Sequence, residues 1–67
     1  MTREELKKFR KGRELNQAAM AEKLGISLSH YKGIERGVQN PSLKTVYRFY
    51  EAFKGQYDDI WKLFGQF

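Results

Sequence analysis

Positively charged side chains are the functional groups of this chain whose number and spacing best indicate a binding role. Among 67 residues there are 13 lysines and arginines against 8 aspartates and glutamates, which gives a formal net charge of +5. Six of the basic residues fall within residues 1–15, where three acidic residues oppose them. Such a surplus favours an anionic partner, either a nucleic acid or an acidic membrane surface.

The residues that could support catalysis or hold a metal lack the required arrangement. Ser29 and His30 are adjacent, and adjacent residues of a helix do not face each other, so they cannot act as a nucleophile and its base. The acidic doublets Glu4-Glu5 and Asp58-Asp59 each open a predicted helix, where carboxylates favour the positive end of the helix dipole. With one histidine and no cysteine, a metal site is not expected. We therefore predict no enzyme activity, no metal, no cofactor and no small-molecule ligand.

Capping residues and glycines divide the chain into five helical segments. The predicted helices begin at Thr2, Asn16, Ser27, Ser42 and Asp58, and the first four end at or near Gly12, Gly25, Gly37 and Gly55. No segment shows the sustained alternation of a strand. The pattern predicts an all-α fold, and the length allows a single domain.

Aromatic residues are concentrated near the C-terminus. Of ten aromatic side chains, eight lie at or after Tyr47. The spacing of Leu43, Val46, Tyr50 and Phe53 predicts a buried face on the fourth helix, with Tyr47 beside it. The final helix is apolar on more sides than a small monomer can cover, so we expect a partner surface there. The candidate interface residues are Tyr57, Ile60, Trp61, Phe64 and Phe67.

The most informative stretch runs from Gln17 to Ile34 and reads QAAMAEKLGISLSHYKGI. Two short helices flank a tight turn that contains Gly25, which supplies the positive φ that the turn needs. Ala21 is small at the point where the two helices approach each other. The apolar residues that would fill the wedge between the helices are Met20, Leu24, Ile26, Tyr31 and Ile34. This layout is that of a helix-turn-helix.

The chain resembles the phage repressor and Cro family of DNA-binding domains, also called Xre-type. The matching residues are Arg10, Asn16-Gln17-Ala18, Met20-Ala21, Lys23 to Ser27, Ile34 to Gly37, and Pro41-Ser42-Leu43. The resemblance covers about residues 5–64. It implies a compact five-helix lambda-repressor-like domain over residues 1–67, in which helices 2 and 3 form the helix-turn-helix and residues 57–67 form a C-terminal dimerisation helix.

The resemblance also implies roles for individual residues. The helix from Ser27 to Glu35 would lie in the major groove of double-stranded DNA. The residues implied to read base edges are Ser27, Leu28, Ser29, Lys32 and Gly33. The residues implied to contact the DNA backbone are Arg10, Arg13, Asn16, Gln17, His30, Arg36, Gln39 and Asn40. Arg10 and Glu35 are further expected to form a partly buried ion pair.

Three positions depart from the family pattern. Position 28 often carries a polar base-reading residue, whereas Leu28 can only pack against a thymine methyl group. Tyr31 stands where a branched aliphatic residue is usual, and Gly33 removes a side chain from the groove-facing surface. The base preference should therefore differ from that of better-known members, with Ser29 and Lys32 as the hydrogen-bonding readers.

The expected function is that of a sequence-specific transcriptional regulator, a repressor that binds a palindromic operator as a homodimer. We expect an intracellular, cytoplasmic protein of bacterial or phage origin, because no apolar run is long enough to span a membrane. The main alternative is an antitoxin-like module of the same fold, whose aromatic C-terminal helix binds a protein partner. A membrane-surface peptide is a weaker alternative, because the basic first helix has few apolar residues beyond Leu6 and Phe9.

Overall fold

Five helices and no strand make up residues 2–65, the part of the chain that the computed structural model describes. They are α1 (Glu4–Gly12), α2 (Gln17–Leu24), α3 (Leu28–Arg36), α4 (Leu43–Ala52) and α5 (Ile60–Phe64). Helix α2 packs against α3 and α4, and α1 packs against α5 and α3. The all-α prediction is confirmed. None of these helices has the length and apolar character needed to cross a membrane.

Side-chain capping bonds explain where four of the helices begin. At the start of α5, Asp59 accepts a hydrogen bond from the backbone N–H of Trp61 at 2.9 Å. The side-chain oxygen of Asn16 accepts a hydrogen bond from the backbone N–H of Ala19 at 2.7 Å, and Ser27 accepts one from His30 at 3.0 Å. Ser42 caps α4 in the same way. Helix α1 differs from the prediction, because it begins at Glu4 and has no side-chain cap, so Thr2 is not its N-cap.

The core is aromatic and is centred on Phe49. The Phe49 ring centroid lies 4.9 Å from that of Phe53, 5.0 Å from Phe64 and 5.2 Å from Phe9. Aromatic pairs at such distances add to the stability that burial of their area provides. The buried apolar residues are Leu6, Met20, Ala21, Leu24, Tyr31, Ile34, Phe49, Phe53, Leu63 and Phe64.

The predicted burial of Phe53 is confirmed, but the rest of the buried face of α4 is not the one that the sequence predicted. Thr45, Phe49 and Phe53 are buried, whereas Leu43 is 82% exposed and Tyr47 is 62% exposed. Tyr50 is exposed as well. Both sets of residues have helical spacing, so periodicity alone cannot choose between them. The structure buries the set that contains Phe49, and the Thr45 hydroxyl finds a partner in Ser42 at 3.1 Å.

Candidate nucleic-acid interface

The helix-turn-helix has the turn chemistry that the sequence predicted. Gly25 ends α2 with φ 69°, in the left-handed region that glycine adopts without a steric penalty. Gly37 ends α3 in the same region. Tyr31 and Ile34 of α3 are buried with Met20 and Leu24 of α2. This packing fixes α3 against α2 and leaves the opposite face of α3 exposed.

That exposed face, which we term the α3 stripe, consists of Leu28, Ser29, Lys32 and Arg36. The four residues line one shallow surface depression of about 470 Å³. Its chemistry is mixed, with two cations, one hydroxyl group and one apolar side chain that is 39% exposed. Base edges in the major groove present acceptors, donors and thymine methyl groups. The stripe therefore offers cationic donors for base acceptors, a hydroxyl oxygen for base donors, and an apolar side chain for thymine methyl groups.

Arg36 lies with these candidate readers rather than apart from them. The sequence suggested that Arg36 would contact the DNA backbone on the far side of the recognition helix. In the structure it is the last residue of α3 and lines the same depression as Lys32. The two cations are one helical turn apart, so they face the same direction.

A buried polar network anchors the α3 stripe from behind. The Arg10 guanidinium donates from Nε to Glu35 Oε2 at 2.9 Å and from a terminal nitrogen to Glu35 Oε1 at 3.1 Å. The Tyr31 hydroxyl donates to Glu35 Oε2 at 2.6 Å. The Gln17 amide donates to Glu35 Oε1 at 3.1 Å. Four donors from α1, α2 and α3 thus converge on one carboxylate of α3.

The charges of this network follow from its contacts. Burial alone would raise the pKa of Glu35, but the hydrogen bonds from Arg10, Tyr31 and Gln17 outweigh burial and lower it. The hydrogen bond to Glu35 raises the pKa of Arg10. Burial, followed by the hydrogen bond to Glu35, raises the pKa of the Tyr31 hydroxyl. At neutral pH the network therefore holds an ion pair and a neutral tyrosine that donates to it.

Two arginines implied to touch the DNA backbone make their hydrogen bonds to other residues of the protein. Arg10 is only 6% exposed, and its remaining terminal nitrogen donates to the Leu15 carbonyl at 2.8 Å. Arg13 donates to both the side-chain and backbone oxygens of Gln56 at 2.9 Å, and its guanidinium lies 3.5 Å from the centre of the Phe9 ring. The implied DNA contact of Arg10 is wrong, because burial keeps it from a phosphate. Arg13 likewise holds α1 to the segment after α4.

Gly33 is also not available as a base reader. It is buried, and a Cβ atom at this position would lie 2.9 Å from the Cδ atom of Gln39. The Gln39 side chain therefore covers the surface of α3 where Gly33 has no side chain of its own. The prediction that Gly33 itself reads a base edge is wrong, because the Gln39 side chain covers it.

The remaining candidate contacts lie on the surface near the two ends of the helix-turn-helix. Asn16 is exposed at the start of α2, and Gln17 is half-buried beside it. His30 is half-buried in the first turn of α3, and Ser27 is exposed at its start. Gln39 and Asn40 are exposed in the connector between α3 and α4. Their contacts with DNA stay predictions.

Sequence reasoning missed Arg3. Its guanidinium donates to the backbone oxygens of Phe64, Ile34 and Gln39 and to Asn40 Oδ1 at 2.9 Å. Arg3 therefore ties the end of α5 to the α3–α4 connector. The partners are 31 to 61 residues away along the chain, so no local pattern could have indicated them.

The predicted interface residues at the C-terminus fall into two groups. Phe64 is fully buried and packs edge-on against Phe49, so its side chain cannot face a partner, and that prediction is wrong. Tyr57 and Ile60 are half-buried, and Trp61 is 55% exposed. Phe67 lies outside the described residues. Within residues 2–65 no group of histidine, aspartate and glutamate side chains could hold a metal ion.

An apolar groove that the sequence did not predict lies between α4 and α5. Its volume is about 700 Å³. It is lined by Leu43, Val46, Tyr47, Tyr50, Tyr57, Asp58, Asp59 and Ile60. We term it the α4 groove. Its α4 residues, Leu43, Val46, Tyr47 and Tyr50, were expected on the buried face of that helix or beside it.

Comparisons with known proteins agree with this arrangement. The helix-turn-helix family model HTH_3 matches residues 6–60, which is most of the chain. No curated protein matches the chain significantly. A solved structure titled "SinR protein/SinI protein complex" contains a chain with the same fold, at a TM-score of 0.63 and 24% sequence identity. The similarity covers 92% of this chain and 72% of that one.

The family match includes the helix-turn-helix, the Arg10–Glu35 ion pair behind it and the Pro41-Ser42-Leu43 segment where α4 begins. These features carried the resemblance in the sequence. The fold of the solved structure is in accord with it. The chain therefore belongs to the Cro/C1-type, or Xre-type, helix-turn-helix family of DNA-binding transcription regulators.

Proposed function

We propose that this protein is a sequence-specific repressor that binds a palindromic operator in double-stranded DNA as a homodimer. The observation that carries the proposal is the α3 stripe, in which Leu28, Ser29, Lys32 and Arg36 share one exposed face. The protein acts inside a bacterial cell, where the operator is, and the proposed role needs no enzyme activity, metal or cofactor.

The stripe suits the major groove because each member matches a feature of base edges. Lys32 and Arg36 donate to guanine O6 and N7, Ser29 donates or accepts, and Leu28 packs on a thymine methyl group. Arg36 thereby moves from the implied backbone contacts to the candidate base readers. The side chain of Ser27 caps α3 through its oxygen and keeps its own O–H free to donate.

Contacts with phosphates fix the position of the stripe. The N-terminus of α2 carries the positive end of its helix dipole, and Asn16 caps it through Oδ1. The Asn16 Nδ2 group and the second N–H of the Gln17 side-chain amide are side-chain donors beside this helix end that could face a phosphate. Since Gln17 is held by Glu35, its donor is oriented before DNA arrives.

The second copy of the chain would lie against the α4 groove. Leu43 and Tyr47 are among the most exposed large apolar residues, and Tyr57 and Ile60 complete the apolar surface. Covering such a patch with its symmetry mate removes it from water and pairs two recognition helices. Recognition helices about one turn of DNA apart, roughly 10 bp, then match a palindrome.

Selection of bound duplexes from a random pool tests this proposal. The wild-type protein should enrich a palindrome whose half-sites are centred roughly 10 bp apart. A pool that stays random would contradict specific recognition, and an enriched single half-site would contradict the dimer.

A protein-binding role is the second candidate, favoured by the exposure of Trp61 and of the α4 groove. In that case the groove would hold a segment of another protein, as in an antitoxin. Measuring the mass of the isolated protein in solution separates the two. A dimer that persists at micromolar concentration supports the repressor, and a monomer supports the second candidate.

A further inference from the structure

The side chain of Gln39 lies on the recognition helix α3, although Gln39 itself belongs to the connector that follows this helix. A Cβ atom at Gly33 would lie 2.9 Å from Gln39 Cδ and 3.1 Å from both Gln39 Cγ and Oε1. The whole end of the Gln39 side chain therefore lies on the surface of α3 at position 33. This position follows Ser29 by one helical turn, so it faces the same direction as a member of the α3 stripe.

The backbone of Gln39 is fixed in this place from two sides. Its N–H donates to the Gly33 carbonyl at 3.2 Å, next to the bond that Val38 makes with the same oxygen at 3.0 Å. Its carbonyl accepts from the Arg3 guanidinium at 2.9 Å. Arg3 also binds Asn40 Oδ1 at 2.9 Å. The connector is thus anchored to both α3 and the N-terminal segment.

The amide group of Gln39 is left for a partner. It is exposed, and within residues 2–65 none of the hydrogen bonds involves its Oε1 or Nε2 atom. A primary amide presents one acceptor and two donors in a plane. That pattern matches the N6 and N7 edge of adenine in the major groove, to which glutamine binds through two hydrogen bonds.

We infer that Gln39 is a base-reading residue that supplies, from the α3–α4 connector, the side chain that Gly33 lacks. It recognises adenine in an A·T pair at one position of each half-site. The glycine at position 33 is required because any side chain there would displace Gln39. The inference rests on the proposed function, since it needs the α3 stripe to face the major groove.

Two substitutions should remove this recognition from opposite sides. Gln39→Ala deletes the amide. Gly33→Ala adds a Cβ that collides with the flexible end of Gln39, so the side chain moves away while the fold is kept. Because both act on one contact, the double variant should lose no more than either single variant.

The experiment is selection from a random duplex pool with the wild-type chain and with the Gln39→Ala, Gly33→Ala and double variants. The wild type should prefer A·T at one position per half-site, and both single variants should lose about five- to a hundredfold of that preference. Gln39→Glu should change the preference from adenine to cytosine, because a carboxylate accepts from cytosine N4. Removal of a structural contact alone would not change which base is chosen.

The outcomes separate this inference from the proposal on which it rests. If Gln39→Ala and Gly33→Ala keep the wild-type preference at every position, while Lys32→Ala alters one, the role of Gln39 is overturned and specific recognition stands. If the wild type shows no preference, both fall. A melting temperature for Gln39→Ala close to that of the wild type shows that altered preference is not caused by unfolding.

Discussion

The faces of α3 and α4 offer opposite chemistry to a partner. The α3 stripe is polar and cationic, and behind it lies a carboxylate with four hydrogen-bond donors. The α4 groove is apolar, with Leu43 82% exposed, and its charged lining residues are Asp58 and Asp59. A polyanion is attracted to the first face and repelled by the acidic rim of the second.

This difference suits the two faces of the domain to two kinds of contact, polar at the α3 stripe and apolar at the α4 groove. Polar recognition depends on geometry, and the buried network supplies it by holding Gln17 and α3 in one arrangement. Association through apolar area is non-directional, so it depends less on the orientation of single groups. The following substitutions test each side of the comparison, from the largest expected effect to the smallest.

Removing Glu35 should have the largest effect, because it leaves the Arg10 charge buried without a partner. We expect Glu35→Ala to lower the free energy of unfolding by about 3–5 kcal/mol. Chemical denaturation measures it. The matched control is Glu5→Ala, which removes an exposed carboxylate 3.7 Å from Lys8 and should change stability little. Equal effects of the two substitutions would contradict a buried network behind α3.

Acid should remove part of the same stability. The pKa of Glu35 is lower in the folded protein than its value of about 4.3 in an unfolded chain. The stabilising contribution is therefore fully present above pH ~4.3 and is lost as the pH falls through the folded pKa. The melting temperatures of the wild type and of Glu35→Gln should converge below that pH. A constant difference down to pH 2 would show that Glu35 has no depressed pKa.

Leu43→Ser tests the α4 groove. If two copies meet there, the dimer dissociation constant should rise at least tenfold, about 1.4 kcal/mol, because the substitution acts twice in a symmetric dimer. Analytical ultracentrifugation measures it. Val38→Ser is the control, since Val38 is also an exposed apolar residue (65%) but does not line the groove. Unchanged dimerisation of Leu43→Ser would locate the second copy elsewhere.

Lys32→Ala tests the α3 stripe. We expect it to reduce discrimination at one base pair of each half-site by about 1–3 kcal/mol. Lys44→Ala removes the same charge from α4 and should leave the ranking of sequences unchanged. Competition binding with single-base variants of the selected duplex gives both values. Uniform weakening of all duplexes by Lys32→Ala would make Lys32 a backbone contact.

The two faces also differ in how far the sequence could predict them. Local bonds begin or end the helices at Asn16, Gly25, Ser27 and Gly37. The helix-turn-helix could therefore be predicted directly from the sequence. On α4, by contrast, two sets of residues had equal helical spacing. The choice depended on the packing of Phe49 against rings from α1 and α5, which are distant in the sequence.

Long-range contacts account for the other differences. The positions of Arg3 and Gln39 depend on bonds between the N-terminal segment, the connector and the end of α5. Arg13 looked like part of a basic surface because its partner, Gln56, is 43 residues away. Arg10 was counted with that surface although its expected ion pair with Glu35 buries it. A charge run in the sequence therefore overstated the cationic surface of α1.

The most direct test of the central claim is cross-saturation by NMR, with the protein deuterated and the protons of a bound duplex irradiated. Amide signals of residues that touch DNA then lose intensity. The strongest losses should fall within residues 27–39 and at Gln17, and residues 43–52 of α4 should keep their intensity. Losses concentrated on α4 and α5, with α3 unaffected, would contradict the assignment of α3 to DNA.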